Sequence, residues 1–309
     1  MEQISVTNPI GRAIDRVRLV LFSPFDLGKW FVIGFCAWLA ELGEAGGGSG
    51  GGNFNNSSHN GGDIHQQFEH GRSYVLENLA WIVPLALFIF VLVVILMVVL
   101  TWLNSRGKFM FLHCVALNRA EIAEPWRKYE AQANSLFWFR LALMGIGWVL
   151  IMPLFVFMAI VAFPMFRADA WHLPGILMLA GLFMASFFIS MIFLLIRKLT
   201  TDFVVPIMYL RGSRCLEAWR EFRQQLLAGH LGDFVLYVLF QIVIGLVLGA
   251  MLFLIVLVTC CIAGCLMALP YLGAVLLLPI TIFKRAYSLH YLAQFGPSYN
   301  VFQPTTTTQ

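Results

Sequence analysis

From Leu79 to Leu103 no side chain carries a charge, and that run limits the fold before anything else does. About 18 or more consecutive apolar residues match the hydrocarbon thickness of a bilayer, where a helix satisfies its own backbone polar groups. Leu136–Phe163, Leu173–Ile196 and Phe234–Val258 are comparable runs, interrupted only by Arg140, and a last apolar stretch ends at Phe283. Trp30–Leu42 is a shorter sixth candidate, extended to Leu27 if Lys29 snorkels. Composition agrees: 60% of the residues are hydrophobic and 12% charged, against about 45–50% and about 25% in soluble domains.

Charge placement predicts the orientation. With both termini inside and all six segments crossing, eighteen of the twenty Lys and Arg residues face the cytoplasm and only Arg72 and Arg167 lie outside. A re-entrant first segment would put Arg12, Arg16, Arg18 and Lys29 on the wrong face. The expected fold is therefore an all-α integral membrane protein with six transmembrane helices, arranged as three helical hairpins with interfacial amphipathic helices. Residues 1–297 form one polytopic domain on this reading. An outside loop over 44–63, carrying GGGSGGG and NFNNSSHNGGD, is expected to be flexible, and the tail 298–309, ending TTTTQ, disordered. No cleavable signal is expected at the N-terminus, because charges interrupt its apolar positions.

Three stretches suggest an internal repeat. Glu124-Pro-Trp126-Arg127-Lys-Tyr129 stands before the third span and Glu217-Ala-Trp219-Arg220-Glu-Phe222 before the fifth. The helix-patterned Gly11–Phe22 stands before the first. Asp26, Ser135 and Asp233 are the expected N-caps of the spans that follow. After the returning spans, Lys108-FMF-Leu112-His113 matches Arg285-AYS-Leu289-His290, with Asp202-FVVPIMYL-Arg211 in the corresponding place. Helices with Trp on one face and Arg on the other lie in the headgroup plane. Trp126, Arg127, Trp219, Arg220 and Arg223 are thus the candidate lipid contacts, forming a basic cytoplasmic collar.

The W-R element ahead of an outgoing span, Asp202-Phe-Val-Val-Pro206 and Arg285-Ala-Tyr-Ser-Leu-His-Tyr-Leu-Ala-Gln-Phe-Gly296 resemble a group of bacterial multi-span proteins. That group includes the membrane domain fused to some glycerophosphodiester phosphodiesterases. The resemblance covers about Gly11–Pro297 and implies the architecture and a bacterial inner (plasma) membrane. It carries over no active site, since the soluble catalytic barrel of those enzymes has no counterpart here.

Ionisable and amide groups at membrane depth are costly and therefore functional candidates. Arg140, Asp202 and Gln241 qualify, Arg140 and Asp202 being placed to pair at the cytoplasmic end; Ser186 and Ser190 lie in the fourth span. Gly181, Gly245 and Gly249 are expected to let helices approach closely, within the chain or between two copies. His59, Asp63, His65 and His70 are read as a solvated loop rather than a metal site, and Cys36, Cys114, Cys215, Cys260, Cys261 and Cys265 as free thiols. No cofactor, metal or nucleic-acid partner is expected. No paired carboxylates or nucleophile–base pair lies in the spans, so the sequence favours a non-enzymatic membrane protein touching anionic lipid or a cytoplasmic partner. A small-molecule or lipid transporter is the alternative, for which a polar cavity around Gln241, Ser186 and Ser190 would speak.

Overall fold

The computed structural model describes residues 4–42, 79–167, 172–259 and 262–302. Among these every regular element is helical: α1 (Asn8–Phe22), α2 (Leu27–Glu41), α3 (Leu79–Leu117), α4 (Ala123–Lys128), α5 (Glu130–Arg167), α6 (Leu173–Leu199), α7 (Val205–Arg211), α8 (Cys215–Glu221), α9 (Leu231–Val258), α10 (Ile262–Ala268), α11 (Pro270–Leu276) and α12 (Leu278–Leu292). π-helical turns at Thr200–Val204 and Phe222–Leu227 continue α6 and α8.

Four helical stretches are long and apolar enough to cross a membrane: Trp81–Leu117, Glu130–Met165, Leu173–Arg211 and Leu231–Val258. Each divides into two parts with different surroundings. In α3, 39 residues long and therefore about 58 Å at about 1.5 Å per residue, the apolar side chains of the first half are exposed, as with Leu87, Phe88 and Phe90. From Asn104 to Ala116 every residue is buried. α5 and α9 are buried near their starts (Leu136, Arg140; Phe234, Tyr237) and apolar and exposed beyond. The molecule is thus a packed basal layer from which four apolar arms project. Exposed leucine and phenylalanine over such lengths is stable only against lipid tails.

The basal layer is closed by aromatic packing. Phe203 lies against Phe222, Phe234 and Tyr237 with ring centroids 5.4, 5.0 and 4.9 Å apart, all four rings nearly or wholly buried. Burying each such side chain contributes about 1.5–3 kcal/mol. α1 crosses this layer against α12, and Arg16 donates to the carbonyls of Val115 and Ala116 at the end of α3 (2.5–2.9 Å). Those carbonyls have no partner within their own helix; the adjoining Asn118 turns the chain through a left-handed conformation, φ 58°.

The two remaining expected spans are not among these four long helices. α2 has 15 residues and runs antiparallel to the buried half of α3, not beside its apolar run. Lys29 reaches Asn118 at 2.8 Å, and Asn104 donates to the carbonyls of Ala40 and Leu42 at 2.6 and 2.7 Å. The stretch ending at Phe283 runs through three short helices, of which α11 packs on α2, the Tyr271 hydroxyl donating to the Phe31 carbonyl at 2.9 Å. Pro270 and Pro279 stand in the first turns of α11 and α12, where a missing N–H is harmless and from which the preceding helix cannot continue. Asp26 caps α2 as expected, accepting from the Gly28 N–H at 2.8 Å. Ser135 does not cap a span: it lies inside α5, and its hydroxyl accepts from the Cys215 N–H at 3.0 Å. A Cβ added at Gly181, Gly245 or Gly249 would meet nothing within 4 Å, so these glycines mark no close helix contact among the described residues. The glycine-rich loop, its histidines, and Cys260 and Cys261 lie outside them.

The start of the expected disordered tail is instead docked. Tyr299 and Val301 are buried, the Tyr299 hydroxyl donates to Gln225 at 2.7 Å, and Phe302 stacks on His290 at 4.3 Å. Apolar side chains at 299, 301 and 302 supply the contact. Burial, with Arg12 and Arg16 nearby, holds the His290 imidazole down to about 4 from its ordinary 6.5. Between those values the unfolded chain binds the proton and the folded chain does not, so stability is complete above about pH 6.5 and falls as pH drops toward 4. Thermal unfolding at pH 7 and pH 5 is expected to show a decrease that His290→Gln reduces; an equal decrease in both proteins would assign the pH dependence elsewhere.

Candidate functional site

Between the arms α3, α5 and α6 lies a groove of about 650 Å³, within the range of about 300–1,000 Å³ usual for ligand pockets. Its walls are apolar, including Met97, Met144, Trp148 and Phe155. Polar groups gather only at the basal end, where Asn104, Arg140 and Arg197 come from three different helices. Each ends up there for the same reason: it is a polar residue at the basal limit of an apolar run, so three arms that leave the layer side by side bring their boundary residues together. Arg140 is buried and donates to the side-chain amide oxygen, Oδ1, of Asn104; Asn104 in turn holds the end of α2 through its amide N–H groups. The guanidinium is thereby oriented toward the groove floor by a side chain that is itself fixed.

Asp202 does not pair with Arg140. It accepts from Lys198, one helical turn earlier, at 2.8 Å and from the Tyr237 hydroxyl at 3.0 Å. Gln241 closes the circuit, accepting from Lys198 at 3.0 Å and donating to the Tyr237 hydroxyl at 2.8 Å. Two candidates from distant stretches, Asp202 and Gln241, are thus brought into one network, while Arg140 belongs to the groove. Beside it, Lys108 donates to the Thr201 hydroxyl at 2.6 Å and Arg285 to the Thr201 carbonyl at 2.5 Å. The two basic residues matched by sequence meet at Thr201, immediately before Asp202. This network joins α6, α9, α12 and α3.

The five collar residues divide by role. Arg127, Arg220 and Arg223 are exposed. Trp126 is half-buried, and the Arg106 guanidinium sits 4.7 Å from its ring and 4.7 Å from that of Trp102, with Glu130 2.8 Å away on the same arginine. Trp219 is half-buried against Phe222 and Phe139, its indole nitrogen enclosed. Leu226 and Phe222 on the same face are buried in the protein. The amphipathic segment after Arg214 therefore packs part of its apolar face on the basal layer, while Leu216 on that face is exposed.

Sequence reasoning missed Asn104, Lys198 and Arg197. The Lys198–Asp202 spacing of one helical turn was a visible signal; the convergence of Asn104, Arg140 and Arg197 was not, because it depends on which arms are neighbours.

No curated protein and no solved structure matches the chain. A family profile matches residues 4–278, and on that match the chain belongs to DUF7544, a family of unknown function.

Proposed function

We propose that this is a non-enzymatic membrane protein that holds an anionic lipid, with the lipid phosphate on Arg140 and Arg197 and an acyl chain along the apolar wall of the α3–α5–α6 groove. The observation that carries the reading is the groove itself: two guanidiniums beside Asn104 at one end of a mainly apolar cleft, at the depth where an apolar arm meets the basal layer. Basic pockets between spanning helices on the cytoplasmic side suit anionic headgroups, and guanidinium forks suit phosphate. Arg127, Arg220 and Arg223 add an exposed basic rim. A basal layer rich in Lys and Arg fits a cytoplasmic position for it, with six crossings counted if α2 and the broken α10–α12 return are included. The likeness to membrane domains of glycerophosphodiester phosphodiesterases, and with it a bacterial inner membrane, accords with a lipid-facing role.

Transport is less well supported. Gln241 is committed to Lys198 and Tyr237, and the Ser186 hydroxyl donates to the Phe183 carbonyl in its own helix at 2.8 Å, so neither opens a polar path.

At about 1 kcal/mol per near-surface basic residue, losing both arginines is expected to weaken anionic-lipid retention by about 2 kcal/mol, roughly 30-fold. Purified full-length protein is expected to retain phosphatidylglycerol over phosphatidylcholine, and Arg140→Gln/Arg197→Gln to abolish the preference. Equal retention of both lipids by the wild type would sink the reading. Orientation has its own test: Gln224→Cys in a cysteine-free background should react with an impermeant thiol reagent in inverted vesicles and not in intact cells, and the opposite pattern reverses the topology.

A further inference from the structure

His113 is almost fully buried at 1% exposure, yet its Nε2 is enclosed without a hydrogen-bond partner. Its other ring nitrogen, Nδ1, is 3.1 Å from the Tyr209 hydroxyl. A carboxylate oxygen of the nearby Glu121, Oε2, is likewise enclosed without a partner, while Arg119 approaches the other oxygen, Oε1, only to 3.9 Å. One ring nitrogen of His113 and one carboxylate oxygen each from Glu121 and Glu124 lie within 4.8 Å of one another. Buried acceptors are normally satisfied, and here two neighbouring residues of one three-residue cluster each carry an acceptor with no donor.

We propose that His113, Glu121 and Glu124 form a binding site for a divalent first-row transition cation. In the tautomer that donates Nδ1–H to Tyr209, Nε2 presents a lone pair, and a hydrogen bond of this kind to the distal nitrogen is what orients metal-binding histidines. Two carboxylates and a neutral imidazole balance a doubly charged ion and suit zinc, which binds nitrogen and oxygen at about 2.0–2.2 Å. Three protein ligands leave a fourth position for water. The ligands also join two parts of the chain: His113 is on the buried half of α3, while Glu121 and Glu124 come from the turn and the short helix α4 after it. An ion there would fasten the α3–α4 corner, which includes Trp126 and the Arg106 contact, and would do so independently of the lipid groove.

The test uses zinc alone and the full-length protein in detergent. His59, His65 and His70 are replaced by alanine so that the glycine-rich loop supplies no imidazole. The background protein is expected to retain one zinc per chain after desalting, and its unfolding temperature is expected to rise with added zinc. Glu124→Gln, at an exposed position, and Glu121→Gln are each expected to weaken zinc at least tenfold in competition with a chromophoric chelator, without lowering the unfolding temperature of the metal-free protein. Tyr209→Phe, which removes the group orienting the ring, is expected to weaken it about tenfold or more. His113→Ala should abolish binding, and if that variant fails to fold, the two glutamate variants decide. Less than one zinc per chain in the background protein, or undiminished affinity in both glutamate variants, overturns the site and indicates adventitious binding only.

Discussion

Gly107→Ala is expected to cost about 3 kcal/mol of stability, at the upper end of the usual penalty of about 1–3 kcal/mol for overpacking. A Cβ at this position would stand 2.5 Å from the backbone nitrogen of Ala40 and 2.5 Å from the carbonyl carbon of Leu39. Both are backbone atoms, so no rotamer change relieves the clash and α2 must move away from α3. That motion also pulls Ala40 and Leu42 from the Asn104 amide and loosens the residue that orients Arg140. Thermal unfolding in detergent should show a large drop for Gly107→Ala. Gly181→Ala is the control: a Cβ there meets nothing within 4 Å, and exchanging glycine for alanine in a helix favours the helix by up to about 1 kcal/mol. If both variants melt with the wild type, α2 and α3 do not make this contact.

The same pair of helices shows what was legible in the sequence. Leu79–Leu103 announces a membrane crossing by length and lack of charge alone, and the four long arms follow from that signal. Trp30–Leu42 is apolar too, but short apolar runs serve burial against protein as well as against lipid, and the Gly107 contact and the Asn104 hydrogen bonds show which part of its surface packs on α3. Pro270 and Pro279 were readable as breaks in the otherwise uncharged apolar stretch through Phe283. Trp219 illustrates a related point: an amphipathic pattern says that one face is buried, not how that face is shared between a headgroup layer and Phe222, Phe139 and their neighbours. The match of Lys108 with Arg285 pointed at real proximity, since both donate to Thr201. The groove could not be read at all, because Asn104, Arg140 and Arg197 are joined only by the order in which the arms pack.

Asp202→Ala should destabilise the protein by about 2–3 kcal/mol, most of it through Tyr237. That tyrosine is fully buried and its hydroxyl donates to Asp202 at 3.0 Å; without the carboxylate it is left with no acceptor, and a stranded buried donor costs about 1–3 kcal/mol. The Lys198 ion pair adds less. Its side chain is 40% exposed, so once released it regains water, and pairs of that exposure contribute about 0–1 kcal/mol. The two contributions can be separated. Tyr237→Phe removes the donor along with its need for an acceptor, so the double variant Asp202→Ala/Tyr237→Phe should lose clearly less than the sum of the two single changes. The coupling is expected within the range of about 0.5–3 kcal/mol for residues in one network. Lys198→Met, in contrast, should be mild, because Gln241 and Asp202 keep their contacts to the Tyr237 hydroxyl. Additive losses for Asp202 and Tyr237, measured by denaturant or thermal unfolding in the same detergent, would show that the carboxylate and the phenol do not act together. The closed circuit of Lys198, Asp202, Tyr237 and Gln241 would then not be what fastens α6 to α9.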